Sequence, residues 1–207
     1  MASRKAKKAS SSFNYASIAI SGPPGAGRST LLKNLRPYLE TIGWDFFSGG
    51  EWSRKYAIDN GMHDPRDPKH HLATDYGDDV DNEIDAAMRK KISDPNVHMA
   101  IESWIAGWNA RGIPHVLKVL LMCDDSLRID RIVNRDDVSV EEAKLHLRQR
   151  EEANLTKWKR MYNTEDFWHP KHYDLIINTY SHGPAQTLEI VLQALGYYKI
   201  NGQPKSK

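Results

Sequence analysis

Several residue types whose abundance would mark a particular class of protein are scarce in this sequence. Only one of the 207 residues is a cysteine, which excludes a disulfide framework and favours a reduced, cytoplasmic setting. No apolar run approaches the roughly 20 residues that a membrane-spanning helix needs. The net charge of +2 is small and gives no reason to expect a nucleic-acid partner. The length and the 40% hydrophobic content instead favour one globular domain.

The two ends of the chain differ in composition from the middle. Residues 1–14 combine four basic side chains with small polar ones and lack the apolar core of a secretory signal. We expect a disordered basic tail over 1–14 and a polar tail over 199–207. The domain between them is predicted to span 15–198.

The segment 17–32 has the pattern of a phosphate loop. An apolar run precedes a glycine-rich turn and a leucine-containing helix. Glycine allows backbone torsions that let successive N–H groups point at one anion, and the helix adds the positive end of its dipole. The pattern is G-x-x-x-x-G-K-[ST], except that Arg28 replaces the lysine. Because a guanidinium is charged but longer and planar, we expect it to preserve nucleotide binding better than turnover.

Alternating apolar runs and helical segments predict a parallel sheet with helices on both faces. The five runs are 18–20, 44–47, 97–102, 116–122 and 173–178. Ligands of such sheets bind at the carboxyl ends of the strands, which is where Gly50, Arg54 and Glu102 follow their strands. Glu102 could order magnesium-bound water there, or it could simply close the strand.

Three predicted helices carry pairs of charged side chains on one face. The pairs are Asp81 with Asp85, Arg131 with Arg135, and Arg150 with Lys157, the last on a long helix opened by a capping box at Ser139. Each pair could face a ligand, but each is also compatible with a solvated, salt-bridged surface. The segment 62–74 is irregular, and its histidines lack a further ligand at metal-site spacing.

Together these motifs resemble the cytidylate kinase family, in particular its short, archaeal-type branch. The resemblance covers roughly 17–195, with the motifs in the family's order. They occupy 22–27, 48–50 with Arg54, 80–85, 106–108, 131–135, 138–143, 150–152 and 173–179.

The resemblance implies an α/β fold of the P-loop NTPase class, similar to nucleoside monophosphate kinases, with an acceptor-binding insert at 48–93 and a short lid within 135–162. It implies transfer of the γ-phosphoryl group of ATP to CMP or dCMP with Mg2+, so the expected partners are small nucleotides. The catalytic residues it implies are Arg28, Arg135, Arg150 and Lys157. The ATP-binding residues it implies are Gly22, Pro23, Pro24, Gly25, Ala26, Gly27, Arg28, Ser29, Thr30 and Arg131. Acceptor binding is implied for Gly50, Arg54, Asp81, Asp85, Glu102 and Gly107, and magnesium binding for Ser29 directly and Glu102 through water.

Three positions depart from the family pattern. Arg28 replaces the loop lysine, Ser103-Trp104 replaces a Gly-Arg pair, and Lys157 replaces a second arginine of the long helix. Two alternatives therefore stand beside cytidylate kinase activity: a nucleotide-binding regulatory protein with little or no kinase activity, and a P-loop kinase for another small acceptor. A nucleic-acid binder that uses the basic tail is a third.

Overall fold

The structure is a computed structural model that describes residues 13–64 and 76–198. Most of the basic segment, the polar segment 199–207, and His70 and His71 lie outside the described residues. Two residues assigned to the basic tail belong to the domain. The ring of Phe13 lies 5.5 Å from that of Trp44, and the Asn14 N–H donates to the Leu195 carbonyl at 2.9 Å. The packed part of the chain therefore includes residues 13 and 14.

The five predicted strands form one sheet in which every pairing is parallel. The strand order is β2-β3-β1-β4-β5. The strands are β1 (Ser17–Ser21), β2 (Asp45–Ser48), β3 (Met99–Glu102), β4 (Val116–Met122) and β5 (Leu175–Asn178). The prediction of a five-stranded parallel sheet is confirmed.

Seven α-helices occur among the described residues, and short 3-10 turns follow α1 and precede β5. The helices are α1 (Arg28–Leu39), α2 (Gly49–Asp59), α3 (Asp78–Ile92), α4 (Ala106–Asn109), α5 (Asp125–Asp136), α6 (Val140–Tyr162) and α7 (Pro184–Leu195). The predicted capping box of α6 is present, since the Ser139 hydroxyl accepts from the Glu142 N–H and the Glu142 carboxylate accepts from the Ser139 N–H. Within 13–64 and 76–198, no helix combines the length and the apolarity that a bilayer crossing requires.

Strand β1 is the centre of the sheet, and all five of its residues are buried. Ile18 lies opposite Ala100 on one side and Leu117 on the other. The chain leaves β1 toward β2 on one side and reaches β4 on the other, so the direction of winding reverses beside β1. In open α/β sheets, such a reversal leaves a crevice at the carboxyl ends of the central strands.

Apolar clusters cover both faces of the sheet. On one face, α1 and α7 bury Leu35 and Leu192. On the other face, α3 and α4 bury Ile92 and Ala106. A third cluster, centred on Trp104, joins the end of β3 to the last third of α6. Because both faces are covered, the open surface for a ligand is the carboxyl edge of the sheet.

Candidate active site

One cavity of about 1100 Å³ opens at the carboxyl edge of the sheet. Its lining comes from the phosphate loop, from helices α2 to α7, and from the ends of β2 and β3. The volume exceeds that of a typical pocket for a single small ligand. The predicted residues that line it are Pro24, Gly25, Gly27, Arg28, Ser29, Thr30, Gly50, Arg54, Asp81, Asp85, Glu102, Arg131, Arg135 and Arg150.

The phosphate loop has the backbone of an anion-binding turn. Gly25 and Gly27 have φ angles of 77° and 99°, which side chains with a Cβ rarely adopt. At Gly22 a Cβ would lie only 2.4 Å from the Leu121 carbonyl oxygen. Within the described parts of the chain, no acceptor receives the backbone N–H groups of Gly25, Gly27, Arg28 or Ser29. These donors surround the start of α1, where the helix dipole also favours an anion.

The arginine of the phosphate loop is largely buried and lies against a carboxylate. Arg28 Nη1 lies 3.2 Å from Glu102 Oε2, and the guanidinium lies over the Trp104 ring, 5.8 Å from its centroid. Burial lowers the pKa of Arg28, the Glu102 charge opposes that shift, and repulsion from Arg128 and Arg135 adds to it. Arg28 is thus held in place by groups at the end of β3.

The Glu102 side chain connects three segments of the site. The residue is only 1% exposed, and its Oε1 accepts from Ser48 Oγ at 2.5 Å and from Ser29 Oγ at 3.4 Å. Together with Arg28, these contacts join the ends of β2 and β3 to the first turn of α1. A buried carboxylate needs such partners, because an unpaired charge would be strongly destabilising.

Positive charge accumulates around Arg150. Burial lowers the pKa of Arg150 to about 9, and repulsion from Arg135, Arg28 and Arg54 acts in the same direction. The buried Nε of Arg150 has no hydrogen-bond partner among residues 13–64 and 76–198, and the guanidinium lies 5.5 Å from the Trp104 centroid. A pKa near 9 leaves the group charged at neutral pH. An anion bound here would relieve this repulsion.

Arg131 and Arg135 lie one turn apart on α5, as predicted, but they make different contacts. Arg131 Nη1 donates to the Gly25 carbonyl at 2.9 Å and to Thr179 Oγ1 at 3.1 Å, so this guanidinium supports the loop while lining the cavity. Arg135 pairs with the neighbouring Asp136 carboxylate at 2.7 Å.

The opposite part of the cavity is lined by carboxylates, an amide and aromatic rings. Asp85 accepts a hydrogen bond from the Tyr162 hydroxyl at 2.5 Å and a second from the Asn109 side chain. Burial raises the pKa of Asp85 and also that of Asp81, although the Lys157 charge opposes the shift at Asp81. The sequence reasoning missed Asn109, because a single amide on a four-residue helix carries no pattern. The proximity of Tyr162 arises only from tertiary packing.

Lys157 does not occupy the expected position. Its ammonium lies 2.8 Å from Asp81 Oδ2 and donates to the Tyr76 carbonyl at 2.9 Å and to the Gly77 carbonyl at 3.3 Å. Lys157 does not line the main cavity, so the structure does not bring it together with Arg150. The two residues share a helix face, but two turns separate them by roughly 10 Å along the axis. Arg150 therefore lines the cavity together with Arg28, whereas Lys157 contacts Asp81 of the predicted acceptor insert.

Gly107 also lies away from the cavity. Its N–H donates to Ser21 Oγ at 2.7 Å, and a Cβ there would lie 2.5 Å from Tyr173 Cε1. The glycine is required by the close packing of α4 on β1 and the Tyr173 ring rather than by a ligand. Three residues of the predicted loop set, Gly22, Pro23 and Ala26, likewise shape the loop without lining the cavity.

The described residues contain no cluster of three His, Cys, Asp or Glu side chains that could chelate a metal. Ser29 and Glu102 bring two side-chain oxygens together beside the first turn of α1. A magnesium ion that keeps several water and phosphate ligands requires few from the protein.

Comparison with known proteins identifies the family. A family model described as an AAA domain matches residues 18–166. The cytidylate kinase of Haloarcula marismortui is 31% identical over 185 residues, which is 89% of this chain and 92% of that protein. The cytidylate kinase of Methanothrix thermoacetophila is 34% identical over 86% of this chain and 96% of its own length. This chain belongs to the cytidylate kinase family.

Solved structures agree with this cytidylate kinase family assignment at the level of the fold. An uncharacterized protein from Eubacterium ventriosum superposes with a TM-score of 0.62 at 16% identity, over 87% of this chain and 98% of its own. A gluconokinase from Sinorhizobium meliloti superposes with a TM-score of 0.52 at 15% identity, over 89% of this chain and 94% of its own. The family places the chain among nucleoside monophosphate kinases, which are phosphotransferases.

The position of Lys157 in this family member leads to a stability prediction. Replacing Lys157 by Met should lower the free energy of unfolding by about 3 kcal/mol, because Asp81 would be left buried without its partner. Urea unfolding measures the change. Lys159→Met removes an exposed ion pair from the same helix and should cost less than about 1 kcal/mol. The double variant Asp81→Asn/Lys157→Met should recover part of the loss, and equal losses for Lys157→Met and Lys159→Met would contradict the assignment.

Proposed function

We propose that this protein transfers the γ-phosphoryl group of ATP to the phosphate of CMP or dCMP. The observation that carries the proposal is one continuous cavity whose two parts have different chemistry. One part combines the phosphate loop with Arg28, Arg135 and Arg150, and the other is lined by Asp85 and Asn109. A kinase that transfers a phosphoryl group between two nucleotides needs a cationic centre between their two binding sites.

The cationic centre would act on the transferring group. In phosphoryl transfer, negative charge is spread over the oxygens of the moving group, and catalysis comes mainly from positioning and charge neutralisation. The loop N–H groups would hold the ATP phosphates, and Arg150 would neutralise charge on the transferring group. Arg54, on the acceptor side of the same cavity, would bind the phosphate of CMP. The acceptor phosphate itself is the nucleophile, so no covalent enzyme intermediate is needed.

The site fits a magnesium ion bound with the nucleotide. Ser29 Oγ and Glu102 Oε1 lie 3.4 Å apart beside the first turn of α1. Both are oxygen ligands of the kind that magnesium prefers. Ser29 would bind the ion directly, and Glu102 would bind one of its waters. When bound, the ion would neutralise charge on the phosphate oxygens.

Two side chains in the acceptor part of the cavity support cytosine, rather than uracil, as the acceptor base. Cytosine presents an exocyclic amine as a donor beside carbonyl and ring-nitrogen acceptors, whereas uracil has a second carbonyl in place of the amine. Asp85 supplies a buried carboxylate acceptor, and Asn109 supplies an amide beside it. A site that hydrogen-bonds an amine discriminates strongly against an analogue that lacks it.

A second candidate is a nucleotide-binding regulatory protein with little or no kinase activity. It is favoured by the Arg28–Glu102 ion pair, because a guanidinium held by a carboxylate has less freedom to bind phosphate. Under this alternative, ATP would bind without being turned over.

The test of the proposed function is ADP release from ATP and magnesium in the presence of CMP, dCMP, UMP, AMP, GMP or no acceptor. The proposal expects release that depends on CMP or dCMP and clearly exceeds the rate without acceptor. Binding of ATP with no acceptor-dependent release would favour the regulatory alternative. A response to a different acceptor alone would overturn the cytidylate assignment.

Arg150 gives a prediction about turnover. Arg150→Ala should lower kcat at least about a hundredfold, because a charge contact to the transferring group would be lost. Arg148→Ala, an exposed arginine on the same helix that does not line the cavity, should leave kcat unchanged. Steady-state kinetics with saturating ATP and CMP measures both. Equal kcat values for the two variants would show that Arg150 does not act on the transferring group.

Restoring the lysine of the usual phosphate-loop pattern at position 28 tests whether the site suits an arginine there. Since Glu102 and Trp104 both contact the guanidinium, the surroundings suit arginine, and Arg28→Lys should lower kcat. The same assay measures the change, with circular dichroism as the control for folding. A higher rate for Arg28→Lys would mean that the arginine impairs an otherwise intact site.

A further inference from the structure

Arg128 is a buried arginine that the proposed mechanism does not use. It lies in α5 and is 6% exposed. Its Nε donates to the Pro24 carbonyl at 2.7 Å, its Nη1 pairs with Asp125 at 2.7 Å, and its Nη2 forms an ion pair with Glu151. One side chain therefore joins the phosphate loop, α5 and α6.

The contact with Pro24 fixes the direction of a loop donor. The Pro24 carbonyl and the Gly25 N–H belong to one peptide unit, and in a trans peptide these groups point in opposite directions. By holding the carbonyl on the α5 side, Arg128 turns the Gly25 N–H away from α5. This N–H is one of the loop donors that no acceptor in the described parts of the chain receives.

The neighbouring loop carbonyls are held in a similar way. Arg131 Nη1 donates to the Gly25 carbonyl at 2.9 Å, and Thr179 Oγ1 donates to the Ala26 carbonyl at 3.0 Å. Three consecutive carbonyls of the loop therefore accept hydrogen bonds from side chains. The Ala26 contact orients the Gly27 N–H by the same peptide geometry. Donors set in advance bind an anion without the cost of ordering them.

The contact with Glu151 connects this arrangement to α6. Glu151 follows Arg150, whose guanidinium lies in the cavity. The apolar contacts of α5 with the start of α6 involve Ile132, Ala143 and Leu147. Arg128 adds a charged link close to Arg150, and a guanidinium fork can hold the Pro24 carbonyl and the Glu151 carboxylate at the same time.

We propose that Arg128 is a positioning residue that orients the Gly25 N–H toward the ATP phosphates and holds the Arg150 segment of α6 to the phosphate loop. This inference rests on the proposed function for its assumption that the loop binds ATP. It does not depend on which nucleotide accepts the phosphoryl group.

The experiment compares Arg128→Lys, Glu151→Gln and Asp125→Asn with the wild-type protein. The measurements are the Kd of ATP without acceptor by calorimetry, the kcat with the best acceptor, and the thermal midpoint. Arg128→Lys keeps the charge but cannot reach the Pro24 carbonyl and the Glu151 carboxylate at the same time. ATP should therefore bind about tenfold more weakly, and kcat should fall. Glu151→Gln should leave the Kd of ATP within about twofold and lower kcat about tenfold, because only the link to α6 is weakened. Asp125→Asn removes the exposed partner and should change neither value.

The outcomes separate positioning from a structural role and from failure of the proposed function. A wild-type Kd and kcat for Arg128→Lys would overturn the proposal, as would losses in Asp125→Asn equal to those in Arg128→Lys. If the wild-type protein turns over no acceptor, the Kd of ATP still decides whether Arg128 orients the loop. If Arg128→Lys does not fold, an unchanged kcat in Glu151→Gln overturns the link to α6, and a lower kcat at unchanged ATP affinity supports it.

Discussion

The buried carboxylate of Glu102 is the interaction on which the candidate site depends. A charge that is 1% exposed is tolerated only with close partners, and Arg28, Ser29 and Ser48 supply them. These partners come from the first turn of α1 and the end of β2, so one side chain aligns two segments of the cavity with the end of β3. The Arg28 guanidinium forms an ion pair with Glu102 and also presents a planar face to Trp104, which a lysine ammonium cannot do. Arg28 and Trp104 are therefore in contact within the site.

Unlike the paired charge of Glu102, the excess of positive charge in the cavity destabilises the folded protein. Arg150 is crowded by other guanidinium groups, and its buried Nε lacks a hydrogen-bond partner within the described residues. Such crowding lowers the free energy of unfolding, and an anionic ligand bound there would raise it again. Helix α6 nevertheless holds Arg150 firmly, because Leu147 packs against α5 on one side and Trp158 packs in the aromatic cluster on the other. A functional side chain between two packed clusters is well placed to meet a phosphate in one defined position.

Much of the fold could be predicted because its signals are local. The apolar run of β4 predicted its bounds, and the capping box at Ser139 predicted the start of α6. The phosphate loop was recognisable because its glycines have backbone requirements that few other residues meet. The position of Glu102 at a strand end was also predictable, because the carboxyl ends of parallel strands share one edge of the sheet.

The sequence by itself determined the class of fold, the phosphate loop and the set of cationic helices, since each depends on residues close together along the chain. Only the tertiary structure decided which distant residues these side chains contact. It assigned Lys157 to Asp81 rather than to the Arg150 cavity, and it assigned Gly107 to packing against Tyr173. It also brought Arg128 to Pro24, which lies 104 positions away along the chain. Helical periodicity states which side chains share a face, but the neighbour of that face is set by the packing of elements distant in sequence.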